Sequence, residues 1–160
     1  NKTMIEFVKR LSAIGKNLTT YRVGLLQDRA YRVLKKNTLE ALREFNISSV
    51  EWAYIGLVFD TDEGIRLSAA AKLLGVEAPF VTEISSRLVS EMGLIKIVPD
   101  EKDKRAKRAY ITDKGKTFVE KVESHLRAET RPLLDGISAG EILGYLSVLS
   151  KIVQNSEKEK

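Results

Sequence analysis

The sequence predicts a mostly α-helical protein in which a winged helix-turn-helix is flanked by a helical dimerisation domain from both chain ends. Three observations lead to this fold class. Only three Pro and ten Gly interrupt the 160 residues, and apolar residues recur at helical spacing. Two short helical segments are joined by a turn containing Gly75, the pattern of a helix-turn-helix. A charged hairpin, predicted between residues 94 and 112, follows directly.

The residue composition excludes several kinds of site. The chain has no Cys, which rules out a disulfide framework, a thiolate zinc site, a catalytic thiol and a cysteine redox sensor. Its one histidine, His125, cannot make a multi-histidine metal site, so we expect neither a metal nor a cofactor. The net charge of +5 is compatible with an anionic partner but does not establish one.

Signatures of catalysis are weak. Residues 115–117 match the end of a phosphate-binding loop, yet Tyr110 stands where that motif requires a glycine. His125 has no serine-centred nucleophile elbow near it, and paired carboxylates occur only in turns and on solvated helix faces. The sequence therefore predicts that the protein is not an enzyme.

The apolar segments are too short to cross a membrane. The longest uncharged apolar run, Ala53 to Phe59, falls far short of the ~20 residues that a spanning helix needs. Charges at Lys2, Glu6 and Arg10 argue against a signal-peptide core. We therefore expect a cytoplasmic protein without a membrane partner.

The first 45 residues are basic and show a heptad pattern that predicts two helices. Apolar residues recur at alternating steps of three and four, although Gly15 and Gly24 weaken the helix propensity. Either these helices pack on their own domain or they form a dimer interface, and the pattern leaves both open. The heptad positions are Met4, Phe7, Leu11, Ile14, Leu18, Tyr21 and Leu25.

Local capping signals set the predicted elements in the middle of the chain. Asn46 breaks the first helical region, and Ser48 with Glu51 forms a capping box that begins the next helix. A short strand is expected over residues 65–67, and Ser68 begins the first helix of the helix-turn-helix. The second helix is expected to run from Pro79 to about Met92.

Two strands and two helices are predicted after the helix-turn-helix. The strands are expected over residues 94–98 and 108–112, and Thr112 or Asp113 then caps a long helix that Pro132 ends or kinks. Ser138 and Glu141 form another capping box. The last helix has one apolar face, made of Ile142, Leu146, Leu149 and Val153.

The second helix of the helix-turn-helix has an apolar face and a polar face. Val81, Ile84, Leu88 and Met92 fall within one arc of about 80° when each residue turns the helix by 100°. Glu83 lies on the polar face, where it could accept a hydrogen bond from cytosine N4 or merely repel phosphates. That face is either presented to a DNA groove or simply solvated. Its residues are Pro79, Glu83, Ser86 and Ser90, flanked by Thr82 and Arg87.

The predicted hairpin is rich in positive charge. Six Lys or Arg lie between positions 96 and 108, against three Asp or Glu. A projecting basic loop beside an exposed helix is typical of a site for a polyanion, although a solvated turn remains the alternative. Arginine is favoured where a narrow minor groove concentrates negative potential.

Two motifs in register resemble the MarR family of winged helix-turn-helix regulators. Residues 103–108 (DKRAKR), followed by 111–115 (ITDKG), are similar to the wing signature of that family. Residues 81–88 (VTEISSRL), closed by 93–95 (GLI), resemble its recognition helix and the start of its first wing strand. The resemblance covers residues 48–115 by motif and the flanking helices by layout.

The resemblance implies roles for particular residues. Arg105 would enter the minor groove, and Asp103 would pair with Arg108 to stabilise the wing. Glu83 departs from the family, where Arg is frequent at that position, which leaves base specificity open. The implied DNA-binding residues are Ser68, Pro79, Thr82, Glu83, Ser86, Arg87, Lys102, Lys104, Arg105 and Lys107.

The resemblance also implies an assembly and a function. Residues 1–46 and 114–160 would form a two-fold dimer, and residues 47–113 would bind double-stranded DNA. The expected protein is a repressor on a pseudopalindromic operator, relieved by a small aromatic or anionic effector. A protein-interaction module and a nonspecific architectural DNA binder are the alternatives. The expected dimerisation residues are Leu11, Ile14, Leu18, Tyr21, Leu25, Ile142, Leu146, Leu149 and Val153, and an effector pocket or plain core could use Tyr21, Tyr31, Trp52 and Tyr54.

Overall fold

The computed structural model describes residues 3, 5, 6 and 19–158, and it is mostly helical as predicted. Two short 3₁₀ helices, Arg43–Phe45 and Arg131–Leu134, follow α1 and α5. The α-helices are α1 (Thr20–Leu42), α2 (Ser49–Phe59), α3 (Leu67–Leu74), α4 (Ala78–Ser90), α5 (Asp113–Thr130) and α6 (Ala139–Lys158).

A small antiparallel sheet packs against the helix-turn-helix. Its strands are β1 (Ile65–Arg66), β2 (Ile95–Pro99) and β3 (Lys107–Ile111), arranged in the order β1-β3-β2. Ala109 on the central strand lies opposite both Ile65 and Ile97. Strands β2 and β3 form the wing, and the short strand β1 stabilises its inner edge.

The hydrophobic core lies between α2, α4, the sheet and the first half of α5. Tyr54, Leu88 and Leu94 are fully or almost fully buried there. Leu42 at the end of α1 and Val122 on α5 join the same core. Helices α1 and α5 are thereby anchored to the winged helix, while the predicted division into residues 1–46, 47–113 and 114–160 stays a prediction.

Helix ends follow the predicted capping residues. The Ser48 hydroxyl accepts from the backbone N–H of Glu51, and the Glu51 carboxylate accepts from the Ser48 N–H at 2.8 Å. Gly75 ends α3 in the left-handed conformation with φ of 65°, which glycine adopts without a Cβ clash. Gly115 lies so close to the strand entry that a Cβ would come within 2.1 Å of the Leu94 carbonyl oxygen.

Some predicted helix boundaries differ from the structure. Helix α3 begins at Leu67, with Arg66 as its N-cap residue, and not at Ser68. Helix α4 ends at Ser90, not Met92, because residues 91–93 turn the chain towards β2, with Gly93 at φ of 65°. Gly24 lies within α1 without ending it, so this helix runs unbroken from Thr20 to Leu42. Residues 3, 5 and 6 are helical as well, whereas Thr19 is not. Leu11, Ile14 and Leu18 lie outside the described residues.

The outer helices expose a large apolar surface. Tyr21 is 61% exposed and Leu25 is 57% exposed on α1, and no residue of α6 is buried. Ile142 and Leu149 are half-buried, whereas Leu146 and Val153 are exposed. Within the described ranges, no single helix has the length and hydropathy to span a bilayer; α5 and α6 pass that test only as a pair bent by 103°.

Candidate nucleic-acid interface

Helices α3 and α4 form the predicted helix-turn-helix. Val81, Ile84 and Leu88 bury the inner face of α4, and the hydroxyl of Ser85 on that face bonds the Tyr54 hydroxyl of α2 at 2.8 Å. This buried bond and the apolar contacts hold α4 with its opposite face towards solvent. Ser68 is exposed in the first turn of α3.

The outward face of α4 presents small polar groups and one carboxylate. Pro79, Thr82, Glu83, Ser86 and Ser90 are all exposed, so the structure brings these predicted residues onto one surface. Two of the hydroxyls bond their own helix: Thr82 donates to the Ala78 carbonyl and Ser90 to the Ser86 carbonyl. The centre of this face has no large apolar side chain, which makes it accessible to a DNA groove.

Arg87 is not free on that face. Its guanidinium donates to the Glu51 carboxylate and to the Asn46 carbonyl oxygen at 2.7 Å, and it lies 3.4 Å from Glu91. The Arg87 side chain is therefore already bound within the protein, and its predicted contact with DNA stays a prediction. The residue ties α4 to the start of α2, because it pairs with a carboxylate that is itself almost buried.

Glu51 has two structural partners. Its carboxylate caps α2 through Ser48 and pairs with Arg87. Burial alone would raise the pKa of Glu51, but the hydrogen bonds from Ser48 and Arg87 outweigh burial and lower that pKa. The group is thus ionised at neutral pH and holds the Arg87 side chain against α2.

The wing tip is a tight loop between β2 and β3. The backbone N–H of Asp100 donates to the Ala106 carbonyl at 2.9 Å, and that of Ala106 donates to the Asp103 carbonyl at 2.8 Å. The Asp103 carboxylate accepts from the backbone N–H of Arg105 at 3.1 Å. These bonds shape residues 100–106 without using the basic side chains.

Asp100 holds the base of the wing. Its side chain is only 2% exposed, accepts from Nε and an Nη of Arg66 at 3.0 Å each, and accepts from Nε of Arg108. It also accepts from the backbone N–H groups of Lys102 and Asp103 at 3.0 Å. The arginine hydrogen bonds, Arg66 first and then Arg108, hold the pKa of Asp100 far below its usual range.

The expected Asp103–Arg108 pair is therefore wrong. Arg108 pairs with Asp100, and its Nη1 also donates to the Gly64 carbonyl at 2.7 Å. Asp103 faces the loop instead, where it organises the turn at Arg105. The physical reason is the register of the hairpin: Asp100 directly follows β2, and Arg108 on β3 lies opposite Val98.

The wing tip presents an exposed basic cluster. Within the described part of the chain, none of its four cationic side chains takes part in an ion pair or a side-chain hydrogen bond. The cluster consists of Lys102, Lys104, Arg105 and Lys107.

Solved structures with the same architecture are transcriptional regulators. The chain is similar to a MarR-family regulator from Rhodococcus sp. RHA1, with a TM-score of 0.74 at 18% identity over 86% of this chain and 96% of that one. CouR from Rhodococcus jostii RHA1, solved with p-coumaroyl-CoA bound, gives 0.72 at 19% identity over 81% and 90%. No family model matches the sequence.

The chain has the MarR fold. A further structure with this fold, Bordetella bronchiseptica BpsR, whose DNA binding is regulated by 6-hydroxynicotinic acid, gives a TM-score of 0.69 at 19% identity over 87% and 98% of the two chains.

The described MarR fold contains two open grooves. One, of about 1010 Å³, runs beside α4 and is lined by Arg43, Phe80 and Arg87 among others. The other, of about 690 Å³, lies where α5 meets the following 3₁₀ helix and includes Leu126 and Arg131. The four aromatic residues considered for an effector pocket line neither groove, and Tyr54 is core.

Sequence reasoning missed three residues in this part of the MarR fold. Phe80 is 39% exposed beside Pro79, on a flank of the outward face, and the helical wheel could have shown it. The ion pair between Arg66 and Asp100 could not be predicted from the neighbouring residues, because the two side chains meet only when the sheet forms.

Proposed function

We propose that the protein is a transcriptional regulator that binds double-stranded DNA sequence-specifically as a two-fold homodimer. In this proposal residues 47–113 contact DNA, while residues 1–46 and 114–160 form the dimer. The MarR fold supports the proposal, together with the two motifs in register. No catalytic role is assigned to any residue.

The observation that carries this proposal is the basic wing tip held on a buried base. Cationic side chains on a well-ordered hairpin attract DNA phosphates. An arginine at the projecting tip can enter a narrow minor groove, where the negative potential is concentrated. Arg105 is assigned to the minor groove, and Lys102, Lys104 and Lys107 are assigned to phosphates. Their exposure and lack of partners in the described structure support this assignment.

Helix α4 is assigned to the major groove. Its exposed Pro79, Thr82, Glu83 and Ser86 form a face that an incoming base edge can reach. Ser68 at the start of α3 is assigned to the DNA backbone. Arg87 acts in this proposal as a positioning residue through its bonds to α2.

The exposed apolar residues on α1 and α6 support the dimer. Large apolar patches on a protein surface mark interaction sites. We assign Tyr21 and Leu25 on α1 to this interface. A two-fold dimer would place two recognition helices about 34–36 Å apart, which calls for a pseudopalindromic operator. The α6 residues of the proposed interface are Ile142, Leu146, Leu149 and Val153.

An effector-responsive repressor is the form of regulation we propose. The similar structures supply the support: CouR was solved with p-coumaroyl-CoA, and the DNA binding of BpsR is regulated by 6-hydroxynicotinic acid. Both compounds combine an aromatic ring with anionic groups. A small aromatic or anionic molecule is therefore the proposed ligand class for this chain.

Selection from a random duplex library, followed by binding at several salt concentrations, tests the proposal. The wild type should enrich a pseudopalindrome and bind it as one dimer per site. Arg105→Ala should weaken binding and reduce the steepness of log K against log salt by roughly 1.8, because each of the two protomers loses one cation that neutralises DNA charge and each such cation contributes about 0.9. Lys151→Ala on α6 is the matched control and should leave the slope unchanged.

Two results would contradict this proposal. Wild-type protein that enriches no sequence is not a sequence-specific regulator. Equal slopes and affinities for wild type and Arg105→Ala would remove the wing from the DNA interface.

A further inference from the structure

The outward face of α4 has an unusual charge balance for a surface that approaches DNA. Arg87, the only basic residue of that helix, is bound to Glu51 and the Asn46 carbonyl. Glu83 is exposed near the middle of the face, and no ion pair or hydrogen bond engages its carboxylate within residues 19–158. The helix therefore offers the major groove one strong acceptor and no free cation.

We propose that Glu83 is a specificity-determining residue that accepts a hydrogen bond from the N4 amino group of a cytosine in each half-site. This inference rests on the proposed function and names the base that the same surface selects. Glu83 touches the base directly, while the wing cations supply the attraction to phosphate.

The chemistry of the base edges makes a carboxylate selective. An ionised carboxylate only accepts hydrogen bonds. In the major groove guanine presents two acceptors and thymine presents an acceptor and a methyl group, so neither base can pair with it. Adenine has an amino donor, but its N7 acceptor lies beside that donor and faces the second carboxylate oxygen. Cytosine N4 is thus the donor that best matches Glu83.

Repulsion between Glu83 and the DNA phosphates increases the preference for cytosine over the other bases. Bringing a carboxylate near phosphates costs free energy with every sequence, and only the matched base returns a charge-assisted hydrogen bond. Of the neighbouring hydroxyls, Ser86 can accept or donate, whereas Thr82 donates to the Ala78 carbonyl and is left to accept. Neither hydroxyl selects one base as a carboxylate does. Discrimination at one base pair of each half-site should therefore depend on Glu83.

Library selection with Glu83→Gln and Glu83→Ala tests the inference. The alanine variant should lose about tenfold or more of the preference for C·G at one position per half-site and keep the preferences elsewhere. The glutamine variant should change that position towards A·T, because an amide pairs bidentately with adenine. Glu101→Gln on the wing removes the same charge near DNA and should keep the wild-type sequence preference.

Distinct results separate failure of this inference from failure of the proposed function. If both Glu83 variants select the wild-type sequence and bind all duplexes more tightly, as Glu101→Gln would by charge alone, Glu83 only repels phosphate and the inference is overturned. If the wild type selects no sequence, the proposed function and the inference fall together. Glu83 is exposed, so unchanged thermal melting should verify that each variant is folded.

Discussion

The hydroxyl groups of Tyr54 and Ser85 share a hydrogen bond of 2.8 Å inside the interface between α2 and α4. Tyr54 is fully buried, and burial raises the pKa of its phenol, so the group stays neutral at physiological pH. The bond lies on the inner face of the helix whose outer face we assign to DNA. Helix α4 therefore packs into the core on one face and carries the proposed DNA-binding residues on the other.

Tyr54→Phe should lower the free energy of unfolding by about 1–3 kcal/mol, because it leaves the buried Ser85 hydroxyl without a partner. The measurement is equilibrium unfolding in urea. Ser85→Ala provides the reciprocal variant. The double variant should recover part of the loss, since removing both partners leaves no unsatisfied group. A double variant whose loss equals the sum of the two single losses would contradict this account.

Arg87→Ala should lower the free energy of unfolding by about 1.5–3 kcal/mol, because it leaves the almost buried Glu51 carboxylate without its charged partner. A double-mutant cycle with Glu51→Gln measures the coupling between the two side chains. Arg105→Ala is the control, since it removes an exposed arginine and should leave stability unchanged.

The same variant separates positioning from direct contact. Arg87→Ala should weaken DNA binding without altering the salt slope if Arg87 acts by holding α4. A slope reduced by roughly 1.8, about 0.9 for each protomer, would show instead that Arg87 neutralises a phosphate.

Asp100 should make the protein sensitive to acid and insensitive to pH near neutrality. Its pKa is lower in the folded protein than in the unfolded chain, so its contribution to stability is complete above the ordinary carboxyl pKa of about 4 and is lost as the pH falls towards the folded value. Urea unfolding between pH 2.5 and 7 should show stability declining below about pH 4. Asp100→Asn should reduce that decline.

The exposed Glu101 supplies the control for this pH experiment. Glu101→Gln should keep the wild-type acid profile, because its carboxylate has no arginine partner among the described residues. A profile that Asp100→Asn leaves unchanged would show that folding does not favour the ionised form of Asp100 over its protonated form.

Leu146→Glu should convert the dimer to monomer, because it places a charge in the proposed apolar interface on α6. Analytical ultracentrifugation at micromolar concentration measures the mass. Leu73→Glu is the control, since Leu73 is 67% exposed on α3, away from α6. A wild-type protein that sediments as a monomer, or a Leu146→Glu protein that stays dimeric, would contradict the interface.

Local features of the fold were predictable from sequence. The Ser48–Glu51 capping box and the Thr112 cap occur where the residues predict them, because each depends on groups within three positions. Gly75 ends α3 for a reason that is equally local. Helix α4 ended two residues early, since the turn into β2 and not the apolar periodicity sets that boundary.

Partners distant in sequence were not predictable. Arg87 meets Glu51 across 36 positions, and Arg66 meets Asp100 across 34. The pattern placed Arg87 on a polar flank, but it could not show that α2 supplies a carboxylate there. The wing motif predicted Asp103 as the partner of Arg108. Only the register of the hairpin shows that Asp100 lies beside Arg108 instead.

The way Asp100 holds the wing makes the loop beyond it exchangeable. Asp100 contacts Arg66, Arg108 and two backbone N–H groups, but none of the side chains at the tip. Residues 101–106 can therefore change their charge while the hairpin keeps its base, provided that Asp103 still organises the turn. For protein engineers, this loop is a graft site where new sequences for DNA affinity could be tried without redesigning the scaffold.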